Sequence, residues 1–132
     1  MGRSGARQLS GLTLDSGALI GLERSRPVEV LIRRALDRGE RLAVPAGVVA
    51  EVWRDGRRQA RLARLLADAA VDVIALDDRT ARAVGQLCGA SGTADVVDAS
   101  VAWCARQRGH VVVTSDERDL LRIDPRLRIV AV

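Results

Sequence analysis

A chain of 132 residues that is 48% hydrophobic can bury a core of its own, which excludes a disordered chain. The net charge of +4 favours polyanionic partners, nucleic acid first among them. All 21 basic residues are arginine, and the absence of lysine excludes a P-loop phosphate site, which needs the lysine of GK[ST].

Residues 1–10 are rich in Gly, Ser and Arg and read as a flexible N-terminal segment, with residues 11–132 forming one domain. Leu12 to Asp15 reads as a short buried strand, and Ser16 is placed to cap the helix that follows. Pro27 starts a second helix and Gly39 ends it. Arg41 to Val44 is a second strand. Pro45 suits the first position of a third helix, which carries Glu51 in its second turn. Asp55-Gly56 interrupts that helix, and Arg57 to Ala69 resumes with Leu62, Leu65 and Leu66 inside. Val71 to Leu76 reads as a third strand and Asp77 to Ala90 as a helix. Thr93 can cap the next helix, Ala94 to Gln107, which Gly109 ends. His110 to Thr114 is a Val-rich buried strand, Glu117 to Leu121 a helical turn, and Leu127 to Val132 a last strand. This alternation predicts an α/β fold, a three-layer α/β/α sandwich with a mainly parallel central sheet. Cys88 and Cys104 form no CxxC and read as small buried apolar residues. No apolar run reaches the ~20 residues of a membrane span and no signal-peptide pattern opens the chain, so a cytoplasmic protein is the expectation.

Five acidic residues stand at the ends of these apolar elements. Asp15 ends Leu12-Thr13-Leu14, and Glu51 follows the run from Val44 to Ala50. Asp95 and Asp98 lie one helical turn apart, and Asp116 ends Val111-Val112-Val113-Thr114-Ser115. In an open α/β sheet, ligands bind beyond the carboxyl ends of the strands, and all five can gather there. Carboxylates crowded at one edge are costly unless a cation joins them. Hard oxygen donors suit Mg2+ or Mn2+, while one His and two scattered Cys give no zinc site. Each residue alone has a bland explanation: Asp15 and Asp116 as helix caps, Asp95 as a favourable charge in a first helical turn. The joint placement is the signal.

The segments LTLDSGALIGL, VPAGVVAEVWR, TADVVDASVAWCA and VVVTSDERDL resemble, in this order, the four motif regions of PIN-domain ribonucleases. They are most similar to VapC-type toxins of toxin–antitoxin pairs. The resemblance assigns Asp15, Glu51, Asp98 and Asp116 to the four acids, with Asp95 as an accessory acid. Ser16, Thr114 and Ser115 lie where family members place hydroxyls. It implies a PIN-like fold and Mg2+- or Mn2+-dependent cleavage of RNA. It also implies a homodimer, and inhibition by a cognate antitoxin.

In the mechanism expected from these residues, Asp15, Asp98 and Asp116 ligate the metal, and Glu51 ligates it or orients the attacking water. Arg54, Arg57, Arg58, Arg61 and Arg64 recur at helical spacing after Glu51 and are candidate contacts to RNA or antitoxin. Trp53 and Trp103 read as core or interface residues, and His110 as structural. The competing reading is a non-catalytic PIN-like module that binds RNA or protein. A metal-dependent phosphatase ranks last, because the chain has neither a DxD motif at Asp15 nor a lysine.

Overall fold

A computed structural model describes residues 11–132; residues 1–10, expected to be a flexible segment, lie outside the described residues. Five strands make one parallel sheet in the order β3-β2-β1-β4-β5. They are β1 (Gly11–Leu14), β2 (Arg41–Pro45), β3 (Val71–Ile74), β4 (Val111–Thr114) and β5 (Ile129–Ala131). Seven helices join them among the described residues: α1 (Ser16–Arg24), α2 (Arg26–Asp37), α3 (Ala46–Val52), α4 (Ala60–Ala67), α5 (Asp78–Ser91), α6 (Val96–Arg108) and α7 (Glu117–Ile123). The α/β architecture is the one expected, and the sheet is parallel at every pairing.

The central strands are the most apolar because helices cover them on both faces. All of β1 is buried, as are Val112, Val113 and Thr114 of β4. Edge strand β3 keeps Asp72 and Val73 exposed, and Arg41 pairs with Asp72 across its rim at 2.7 Å. One helical layer holds α1, α2 and α4; the other holds α5, α6 and α7, with α6 lying across β1, β2 and β4. The main core joins Leu14, Leu19, Ile32, Leu42, Val44, Leu62 and Val101. A smaller cluster of Val84, Leu87, Ala99, Ala102 and Ile123 locks α5, α6 and α7 together.

Several element ends differ from the sequence expectation, each for a local reason. Asp15, rather than Ser16, caps α1: its backbone is extended and its Oδ1 accepts the Ser16 N–H at 2.7 Å. Pro45 has ψ 141°, which keeps it as the last residue of β2, paired with Ile74, instead of the first of α3. Helix α4 begins at Ala60 instead of Arg57, and the Leu62 N–H donates to Glu23 Oε1 from α1 at 3.0 Å. Asp95 caps α6, and Thr93 instead accepts the Asp95 N–H at 3.1 Å. The final strand is confined to Ile129–Ala131.

The chain leaves β1 toward β2 and β3, then crosses back to place β4 on the other side of β1. Strand order therefore reverses between β1 and β4. That reversal opens a crevice beyond their carboxyl ends. Asp15 directly follows β1, and Asp116 lies two residues beyond β4.

Candidate metal centre

Three of the expected acids meet in this crevice. Asp15, Asp98 and Asp116 each offer a carboxylate oxygen, and these oxygens all lie within 4.8 Å of one another. The residues come from three helix N-termini. Asp15 caps α1, Asp98 sits in the first turn of α6, and Asp116 stands at the N-cap position of α7. Each helix end presents partial positive charge, which tempers the repulsion among the acids. No ion pair joins any of the three, or Glu51, to an arginine among the described residues.

Asp15 is almost fully buried, and hydrogen bonds fix both its oxygens. Oδ1 accepts from the Ser16 N–H, and Oδ2 accepts from the Thr114 hydroxyl at 2.7 Å. The same Thr114 oxygen accepts the Asp116 N–H at 2.8 Å. One hydroxyl, itself fully buried, thus sets the aim of Asp15 and the backbone of Asp116. The Asp116 side chain makes no capping bond, so capping does not account for that residue.

Asp98 carries the largest electrostatic strain. Burial, followed by repulsion from Asp95, Asp15, Asp116 and Asp119, pushes its pKa up from 3.8 to about 7. Asp95 does not join the trio. Its Oδ1 accepts the Asp98 N–H at 2.9 Å, so it caps α6 and orients the turn that carries Asp98. Asp119 was not singled out from the sequence. It lies one turn past Asp116 in SDERD and lines a cleft with Thr93, Asp95, Asp98 and Arg122. Its three-residue spacing from Asp116 was the available signal.

Glu51 also stands apart from the trio, exposed near the end of α3. The Ser16 hydroxyl donates to its Oε1, which ties it to the residue next to Asp15. Ser115 is exposed and packs against Gly17: a Cβ on Gly17 would lie 2.2 Å from Ser115 Oγ. Glycine there lets the first turn of α1 abut the β4–α7 turn. The expected hydroxyls thus divide: Thr114 and Ser16 hold acids, while Ser115 holds a backbone approach.

The candidate arginines divide too. Arg54 folds back onto the carbonyls of Ala50 and Trp53, at 3.1 and 2.7 Å, and so closes the end of α3. Arg61 pairs with Glu29 at 3.1 Å. Arg64 lines a cleft between α2 and α4. Arg57 and Arg58 remain exposed. Cys104 is buried and Cys88 half-buried, both as free thiols. His110 is buried, with Nδ1 3.1 Å from the Thr13 hydroxyl, in keeping with a structural role.

This arrangement is that of an α/β protein with a carboxylate cluster at its topological switch point. The chain matches the PIN domain family over residues 12–124 and belongs to it. Among solved structures, it resembles VapBC2 from Rickettsia felis bound to a DNA fragment from their promoter. That likeness has a TM-score of 0.68 and 16% identity, covering 92% of this chain and 98% of the other. It also resembles FitAcB from Neisseria gonorrhoeae, with a TM-score of 0.60 and 18% identity, over 89% and 95% of the two chains. FitAB bound to an IR36 DNA fragment gives 0.61 and 16%, over 91% and 94%. At these identities the structural likeness speaks to the fold alone. No curated protein matches the sequence significantly. Among the described residues, no helix is long and apolar enough to cross a membrane.

Proposed function

We propose that this PIN-domain chain is a metal-dependent endoribonuclease, the toxin of a type II toxin–antitoxin pair, acting as a homodimer and restrained by a cognate antitoxin. The observation that carries the nuclease reading is the convergence of Asp15, Asp98 and Asp116 with no neutralising arginine among the described residues. The family match, the four motif segments and the likeness to the VapBC2 and FitAB folds support the toxin reading.

The donor set fits a hard divalent cation, Mg2+ or Mn2+: three carboxylates and neither His nor Cys in the cluster. When bound, such an ion lowers the pKa of water and neutralises charge at phosphorus. Asp15, Asp98 and Asp116 would hold it. Thr114 keeps Asp15 from rotating, so the donor geometry exists before the ion arrives. Glu51, held by Ser16, would ligate the ion or orient the attacking water and accept its proton. Asp95 positions Asp98 by capping α6.

The test compares wild type, Asp15→Asn and Asp116→Asn for cleavage of RNA after EDTA treatment and readdition of Mn2+. Both variants should stay folded, because asparagine can cap α1 at position 15 and the Asp116 side chain makes no capping bond to lose, and both should lose cleavage. Cleavage at the wild-type rate in either variant would overturn the site. RNA binding by the wild type without cleavage under any divalent ion would instead support a non-catalytic module.

A further inference from the structure

The turn that follows Glu51 is unusually well built for an exposed connection. Gln59 organises it from within. Its Oε1 accepts the N–H groups of Arg54 and Asp55, at 2.8 and 3.0 Å, and its Nε2 donates to the Val52 carbonyl at 2.7 Å. Asp55 adds a second brace, accepting the Arg57 N–H on Oδ1 at 3.0 Å and the Arg58 N–H on its carbonyl at 3.1 Å.

This hydrogen-bonded turn leaves the side chains of Trp53, Arg57 and Arg58 exposed. Trp53 is 40% exposed, and its ring edge rests against Gly56, where a Cβ would lie 3.0 Å from Cζ2. Arg57 makes no ion pair among the described residues. Arg58 reaches only Asp55, at 3.9 Å, with its side chain 89% exposed. An exposed indole on the same turn as one unpaired guanidinium and one held only by a long, exposed ion pair suits an unpaired base flanked by phosphates. A duplex would hide its bases from the indole. The turn starts two residues after Glu51, whose carboxylate accepts from Ser16 next to Asp15.

We propose that residues 53–59 form a docking element for single-stranded RNA, in which Trp53 stacks on an unpaired base and Arg57 and Arg58 engage the adjacent phosphates. This rests on the reading of RNA as substrate in the preceding section. It also separates the arginines by role: Arg54 and Arg61 serve the fold, and Arg57 and Arg58 serve the ligand.

The test measures binding of a short labelled oligoribonucleotide to metal-free protein in EDTA, by fluorescence anisotropy over a salt series. Removing two phosphate contacts should lower the salt slope by about 1.4, at roughly 0.7 per contact on a single strand. Arg57→Ala/Arg58→Ala is expected to show that loss, and Arg79→Ala/Arg82→Ala on α5 should show none. Trp53→Leu should bind about tenfold more weakly with its slope unchanged, and Trp53→Phe should fall between it and wild type. Circular dichroism confirms that each variant is folded. Unchanged slope and affinity in both the arginine and tryptophan variants would overturn the proposal. So would loss of a protein partner with RNA binding intact. RNA binding through this turn without Mn2+-dependent cleavage would sink the nuclease reading and leave the docking element standing. Cleavage with an unaltered salt slope would do the reverse.

Discussion

Asp98→Asn should make the metal-free protein more stable at alkaline pH. In the folded protein, burial and four acidic neighbours raise the Asp98 pKa from 3.8 to about 7. Between those values the native state keeps a proton that the unfolded chain has released. Stability therefore falls as pH rises through that window and levels off above it. Each pKa unit corresponds to about 1.4 kcal/mol, so full ionisation of Asp98 costs the apo fold about 4 kcal/mol at most. Asparagine never pays that cost and leaves the helix turn intact. The variant should match wild type near pH 4 and exceed it by about 2–4 kcal/mol at pH 8, which for this chain length is on the order of 10 °C in Tm. The assay is thermal unfolding in EDTA, followed by circular dichroism from pH 4 to 9. Subtracting the two curves removes the other titrating groups. Adding Mn2+ should close the gap, since binding to the native state alone adds about 2.7 kcal/mol at a hundredfold excess over Kd and about 4.1 kcal/mol at a thousandfold excess. A variant no more stable than wild type at pH 8, or a flat difference curve, would refute the reasoning.

Thr114→Val keeps the shape of the residue but strands Asp15 Oδ2 and the Asp116 N–H; it should cost about 2 kcal/mol and weaken Mn2+ binding about tenfold or more by calorimetry, whereas Thr114→Ser restores both. Gly17→Ala drives a methyl into Ser115 and should destabilise by about 1–3 kcal/mol in urea unfolding, with partial recovery when Ser115→Gly is added. Asp124→Asn disrupts the buried acceptor of Arg106 and Arg126 and should cost about 2 kcal/mol at neutral pH. Burial raises the Asp124 pKa, but the Arg126 N–H and the two guanidinium groups outweigh it and hold it below 3.8. The wild-type advantage should therefore vanish as pH falls below that value, which acid titration of both proteins would show.

The architecture was legible because strand and helix signals alternate along the chain and each strand is short and apolar. Asp15, Asp98 and Asp116 were legible because each interrupts or ends such a run, and adjacent parallel strands bring their ends together. The misread positions were those decided by individual side-chain hydrogen bonds or backbone angles, some local and some reaching across the fold. Whether α4 begins at Arg57 or Ala60 depends on Gln59, which supplies hydrogen bonds to the backbone before the helix can. Whether Ser16 or Asp15 caps α1 depends on Ser16 turning toward Glu51, 35 residues away. The role of Thr114 was invisible because its partner lies 99 residues earlier in the chain. Asp119 did not stand out because its chain neighbours Glu117 and Arg118 are exposed charges like it, and only the fold sets it near Asp98.

The placement of β1 beside β4 has a bearing on biosynthesis. Asp15 emerges early, but the hydroxyl that aims it and the partner carboxylate at Asp116 belong to the far side of the sheet. A nascent chain that has not yet delivered β4 holds two isolated acids and nothing to grip an ion. If this molecule cuts RNA, the ribosome making it, and the message being read, are shielded until the sheet is nearly whole. On the proposed nuclease reading, the late strand delays completion of the cluster until β1 and β4 pair.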